Sequence, residues 1–167
     1  MSTPWRALLA LVGGLLRLRR GPQDVPYSPT FLLLSLLPYA LLGSALASFV
    51  IPADRAMLYG PAEAMLLAAL VYAALAVRRQ QARYVQTLTA LALTGVAFNV
   101  LSLPLTALAT PENGLGLLIL LLLGWSFAVS VHILRQALEI PVPASVLVNI
   151  GFFLAAYYGL GSLFGLL

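Results

Sequence analysis

Four stretches of this chain, 30–51, 84–109, 114–134 and 144–167, run without a single charged side chain. A helix needs about 20 apolar residues to cross a bilayer, and each stretch supplies that length. Hydrocarbon offers no hydrogen-bond partner to a backbone, so such a stretch satisfies itself by coiling into a helix. Four spans are therefore predicted before anything else is read. Composition then removes the soluble alternative. Hydrophobic residues make up 62% of the 167 and charged residues only 8%, against roughly a quarter in soluble proteins. Too little charge is present to cover a water-facing surface.

A fifth span is expected over 61–77. Glu63 lies near its start and leaves 64–77 free of charge, which is short for a bilayer. The arginines argue for it. With five spans, Arg6, Arg17, Arg19, Arg20, Arg78, Arg79, Arg83 and Arg135 fall on one side and Arg55 alone on the other. Basic loops stay in the cytoplasm, so the amino terminus is expected inside and Leu167 outside. Without the fifth span, the Arg78-Arg79-Arg83 cluster would move to the wrong face.

Every basic residue is an arginine, nine of them against five carboxylates, which gives the net charge of +4. These arginines flank apolar runs, which points to anionic lipid headgroups rather than nucleic acid. The chain has no cysteine, so disulfides, thiolate metal sites and cysteine nucleophiles are excluded. A single histidine excludes a multi-histidine metal site.

Ahead of the spans, 5–20 has helical periodicity. Arg6, Gly13, Arg17 and Arg20 share one face, and Trp5, Leu8, Leu11, Val12, Leu15 and Leu16 share the other. This is the pattern of a helix lying in the membrane interface with its apolar face in lipid. Arginines at the end of the apolar stretch, where a cleavage site would stand, argue against a secretory signal. Pro22, Pro26 and Pro29 make the following stretch a linker. Ser28-Pro29 reads as an N-cap and first turn. Residues 1–29 thus form a cytoplasmic interfacial helix with its linker, and 30–167 an all-α transmembrane domain.

Two polar clusters are candidate sites. His132, Arg135 and Glu139 are spaced three and four apart, on one face at the end of span four. They are read either as a contact for a lipid phosphate or partner, or as a helix end where Arg135 snorkels and pairs with Glu139. Asn99, Ser102 and Thr106 share a face of span three, where Pro104 should bend the helix. They line a pathway or make interhelical hydrogen bonds. Small residues at intervals of four, Gly151, Ala155 and Gly159 on span five and Ala40, Ser44 and Ser48 on span one, allow close helix packing, by default within the chain. No catalytic or phosphate-binding motif is found, and no cofactor or metal is expected.

The layout resembles the Yip1-domain family, with its short cytoplasmic amino-terminal piece and five closely spaced helices. The echo is strongest in Trp125-Ser126-Phe127-Ala128-Val129, followed by Ile133-Leu134-Arg135-Gln136-Ala137-Leu138, and in Arg20-Gly21-Pro22-Gln23-Asp24 before span one. An Asp-Leu-Tyr-Gly-Pro motif precedes span one in the eukaryotic branch. Here Leu58-Tyr59-Gly60-Pro61 falls after span one and lacks the Asp. The resemblance implies a non-enzymatic bacterial inner-membrane protein that organises or supports other membrane components. The alternatives are a small oligomeric transporter or channel, using the polar faces of spans three and four, and an accessory subunit of a larger membrane complex. Anionic lipids, other membrane proteins or further copies of the chain are the expected partners.

Overall fold

The structure, a computed structural model, describes residues 4–110 and 112–166. The first three residues of the expected cytoplasmic segment and Leu167, expected outside, fall beyond the described residues. The described chain is all-helical: α1 (Pro4–Leu16), α2 (Pro29–Ala47), α3 (Ala53–Val77), α4 (Tyr84–Leu108), α5 (Leu115–Leu138) and α6 (Val142–Phe164). Helices α2 to α6 are long and apolar enough to cross a membrane, which makes this a multi-pass membrane protein. The shortest, α2, has 19 residues, a length of about 28 Å at 1.5 Å per residue.

Helix starts and turns follow local chemistry. The Ser28 hydroxyl accepts from the Phe31 amide at 3.2 Å and Pro29 takes the first helical position of α2, as the Ser-Pro pair predicts. Between α4 and α5, the Asn113 carboxamide closes the turn. Its oxygen accepts from the Thr110 amide at 3.1 Å and the Leu115 amide at 3.2 Å, and its nitrogen donates to the Leu108 carbonyl at 2.7 Å.

α4 lies deepest in the bundle and touches α1, α2, α3 and α5, while α6 closes against α3 and α5. Its segment from Thr87 to Thr94 is buried throughout. The main core gathers Val71 and Leu75 of α3, Leu88 and Leu91 of α4, and Val129, Ile133 and Leu134 of α5. A smaller core of Ile51, Ala56, Leu160 and Phe164 closes the opposite end. There the Arg55 guanidinium donates to the Phe164 carbonyl at 3.4 Å.

The second span differs from expectation. It starts at Ala53, not at Pro61, and Pro61 lies inside the helix. An interior proline removes one donor and leaves the carbonyl four residues earlier without its partner. That carbonyl belongs to Met57, and the Ser44 hydroxyl of α2 donates to it at 3.2 Å. The same hydroxyl accepts from the Gly60 amide at 3.2 Å. One serine thus repairs the broken turn from the neighbouring helix. The approach is close because Gly60 has no side chain: a Cβ there would stand 2.7 Å from the Ser44 backbone nitrogen. Leu58-Tyr59-Gly60-Pro61 is therefore helix rather than loop.

Two further expectations change. The apolar face of α1 packs on protein rather than in lipid, with Leu11 and Leu15 buried in the main core. The Trp125 indole of α5 donates to the Leu16 carbonyl at 3.1 Å, holding the end of α1. Trp5 and Leu9 remain exposed on its outer side. Gly151 and Gly159 of α6 also face outward: a Cβ on Gly151 would meet nothing within 4 Å, and one on Gly159 only Leu66 at 4.0 Å. The stripe on span one does pack closely within the chain, Ala40 and Ser44 of α2 meeting Gly60 of α3, with Gly43 beside them.

Candidate functional site

Moving the start of α3 to Ala53 moves Glu63 as well. It stands ten residues into a 25-residue helix, roughly 15 Å along it, near the middle of the bundle rather than at its rim. A carboxylate at that depth is costly and demands partners. Tyr39 of α2 supplies one, its hydroxyl donating to Glu63 Oε1 at 3.1 Å.

Two glycines make room for this pair. A Cβ on Gly43 would lie 2.8 Å from Glu63 Oε2, and one on Gly95 would lie 2.5 Å from Tyr39 Cε2. A side chain at Gly43 would force the carboxylate to shift. At Gly95 it would push the phenol ring off α4.

The pair opens into a cavity of about 290 Å³ between the helices, lined from all five spans. Its polar side chains are Tyr39, Glu63, Thr94, Asn99, Ser126, Ser130 and Asn149. Leu66, Leu70, Phe152 and Phe153 form much of the rest. At a liquid share of about 30 Å³ per water, the space has room for several waters or one small solute. Asn149 is 3% exposed and its amide donates to the Phe127 carbonyl at 3.4 Å, which ties it to α5.

Of the polar face expected on span three, the structure brings only Asn99 into this cavity. Ser102 and Thr106 are half-buried, further along α4 and outside the lining. Sequence reading placed Glu63 at a helix start and so passed over it, together with Tyr39. The available signal was Glu63 itself, the lone charge between Arg55 and Arg78.

The second cluster sits at the arginine-rich end. His132, Arg135 and Glu139 lie on the last turns of α5 but do not act together. His132 Nε2 is 3.1 Å from the Arg20 carbonyl and 2.8 Å from the Gln136 side-chain nitrogen. Gln23 donates to Gln136 Oε1 at 2.7 Å, and the Gly21 amide donates to Asp24 at 2.8 Å. The segment Arg20-Gly21-Pro22-Gln23-Asp24 is thereby clasped onto α5.

Glu139 does not pair with Arg135. It ends α5 in the left-handed conformation, φ 52°, and meets Arg83 at 2.5 Å. Arg83 also donates to the Gln136 carbonyl at 3.1 Å, and Arg78 to the Leu138 carbonyl at 3.3 Å. The two arginines satisfy the orphan carbonyls of the helix end and complement its dipole. Arg135 itself is exposed and makes no hydrogen bond through its side chain among the described residues. It borders a groove shared with Arg83, Gln86 and Gln136.

No protein-family model, no curated protein and no solved structure matches the chain.

Proposed function

We propose that this is a non-enzymatic protein of a bacterial inner membrane that holds a small polar solute between its spans, in the manner of a small transporter or channel. One observation carries the reading: the mid-bundle cavity, where Glu63 and Tyr39 meet with polar side chains from α4, α5 and α6. Packing alone gives little reason to keep a carboxylate and two asparagines around a space at this depth, because each is costly in hydrocarbon. The arginine split supports an orientation with the arginine-rich end in the cytoplasm, and with it a cytoplasmic amino terminus.

The test uses the absence of cysteine, which leaves no background. Thiols react with methanethiosulfonates as thiolates, and thiolates form where water reaches. In native membranes, Ser130→Cys should label with a small soluble methanethiosulfonate. Leu88→Cys, placed in the core, and Leu120→Cys, facing lipid, should stay unlabelled. Silence at Ser130 together with Asn99→Cys would remove the reading.

A second reading has its own support. The two segments that carry the Yip1-like resemblance, 20–24 and 125–138, are the ones joined through His132 and Gln136. In an organising protein or an accessory subunit, this clasped end would present Arg135 to an anionic headgroup or a partner helix. Arginine holds a phosphate or carboxylate with a two-pronged contact that lysine cannot copy. Co-purified lipid and protein should then fall in both Arg135→Lys and Arg135→Ala while insertion stays normal. Unchanged co-purification in both would dismiss it.

A further inference from the structure

Three of the hydroxyl hydrogens around the cavity are already committed. The Tyr39 hydroxyl gives its only hydrogen to Glu63. The Thr94 hydroxyl gives its own to α4 carbonyls, at 3.0 Å to Ala90 and 3.1 Å to Leu91. The Ser126 hydroxyl donates to the Leu123 carbonyl at 2.8 Å. A hydroxyl has one hydrogen and two lone pairs, so Thr94 and Ser126 have lone pairs, not hydrogens, left to offer. Asn149 turns its amide to Phe127, and its oxygen accepts from no described residue. Glu63 Oε2, over Gly43, likewise accepts no hydrogen bond from a described residue. No arginine or histidine lines the space.

Beside the Ser130 hydroxyl and the Asn99 and Asn149 amides, the cavity therefore presents unpaired acceptor oxygens and one carboxyl group, and no arginine or histidine supplies a fixed positive charge. We propose that it is a site for a monovalent cation, either an inorganic ion or the ammonium head of a protonated amine, with Glu63 as counter-charge and Thr94, Ser126 and Asn149 as neutral oxygen ligands. This rests on the solute-binding reading above and names the class of solute. A carboxylate in an apolar interior takes a proton or a cation to neutralise it. Hard cations take oxygen ligands, and sites for divalent ions usually gather several carboxylates; a single one balances a single charge. The leucine and phenylalanine walls leave space for the short apolar body of an amine.

Ser130→Cys in membranes serves as the reporter. Its labelling rate is measured in sodium, potassium or ethylammonium chloride. Tetraethylammonium chloride, which is bulky and has no N–H, holds the ionic strength as the reference. A bound cation slows labelling as mass action requires, about tenfold at ten times the dissociation constant. Protection by sodium or potassium identifies an inorganic ion, and protection by ethylammonium alone identifies an amine. Glu63→Gln keeps the size of the side chain and should label at the reference rate in every salt. Labelling without protection by any of the three cations in the wild-type background would overturn the cation site and leave the accessible cavity standing. Equal protection in Glu63→Gln would also overturn it. Absence of labelling in every salt would instead count against the solute-binding reading itself.

Discussion

Ser44 supplies to α3 what Pro61 removes. Its hydroxyl bonds both the Met57 carbonyl and the Gly60 amide, so its loss leaves the Met57 carbonyl, which Pro61 deprives of a donor, without a partner in an apolar setting. Interhelical hydrogen bonds in membranes are worth about 0.6 kcal/mol on average and reach about 1.7. Ser44→Ala should fall toward the upper figure, measured as a lowered denaturation midpoint in mild detergent. Gly60→Ala should cost more, because a Cβ there drives into α2. At the other end of the bundle the structure ranks the charged residues. Arg83 and Glu139 are each more than a third exposed, so their ion pair contributes at most about 1 kcal/mol. Arg83 also holds carbonyls at the end of α5, so Arg83→Ala should lower the midpoint more than Glu139→Ala. Arg135→Ala should change it by less than about 0.5 kcal/mol, as surface substitutions do. An equal loss in all three variants would contradict this ranking.

The helices were legible from the sequence wherever their ends carried local signals. Ser28-Pro29 marks the start of α2, and uninterrupted apolar length marks α4, α5 and α6. α3 was legible in existence but not in extent. Pro61 reads locally as a first helical turn, because proline is at home there, and only contact with Ser44 keeps it in an interior. Ser44 lies sixteen positions from Gly60 in sequence, beyond any local pattern. A start at Pro61 would also leave Glu63 at the rim of the bundle, away from the cavity. Asn99 was found because it shares a helical face with other polar residues, whereas Tyr39 and Asn149 converge on it only through packing. α1 is the other case. Its amphipathic stripe suits lipid or a protein groove equally, and the choice depends on what α4 and α5 offer. Leu15 is fully buried and Trp5 is exposed, so Leu15→Ala should destabilise by about 2–5 kcal/mol, with Trp5→Ala much milder. If α1 sat in lipid, the two would cost alike and anionic lipid content would govern both.

Five spans fix the sidedness of the molecule. Single cysteines at Gln81 and Glu112 should label from opposite faces of the membrane, and labelling from one face would reduce the spans to an even number between them. With that arrangement, the helices surround a polar space whose carboxylate is set by two glycines and a tyrosine. Helix packing alone would leave such a space dry. Magnetisation transfer from water in solid-state NMR of the protein in bilayers addresses this without any substitution. The side-chain amides of Asn99 and Asn149 should receive water magnetisation on the timescale of Asn113 in the exposed turn, while the amide of Leu88 in the core should not. Asn99 and Asn149 amides as slow as Leu88 would mean a closed, waterless interior and would contradict the proposed solute site.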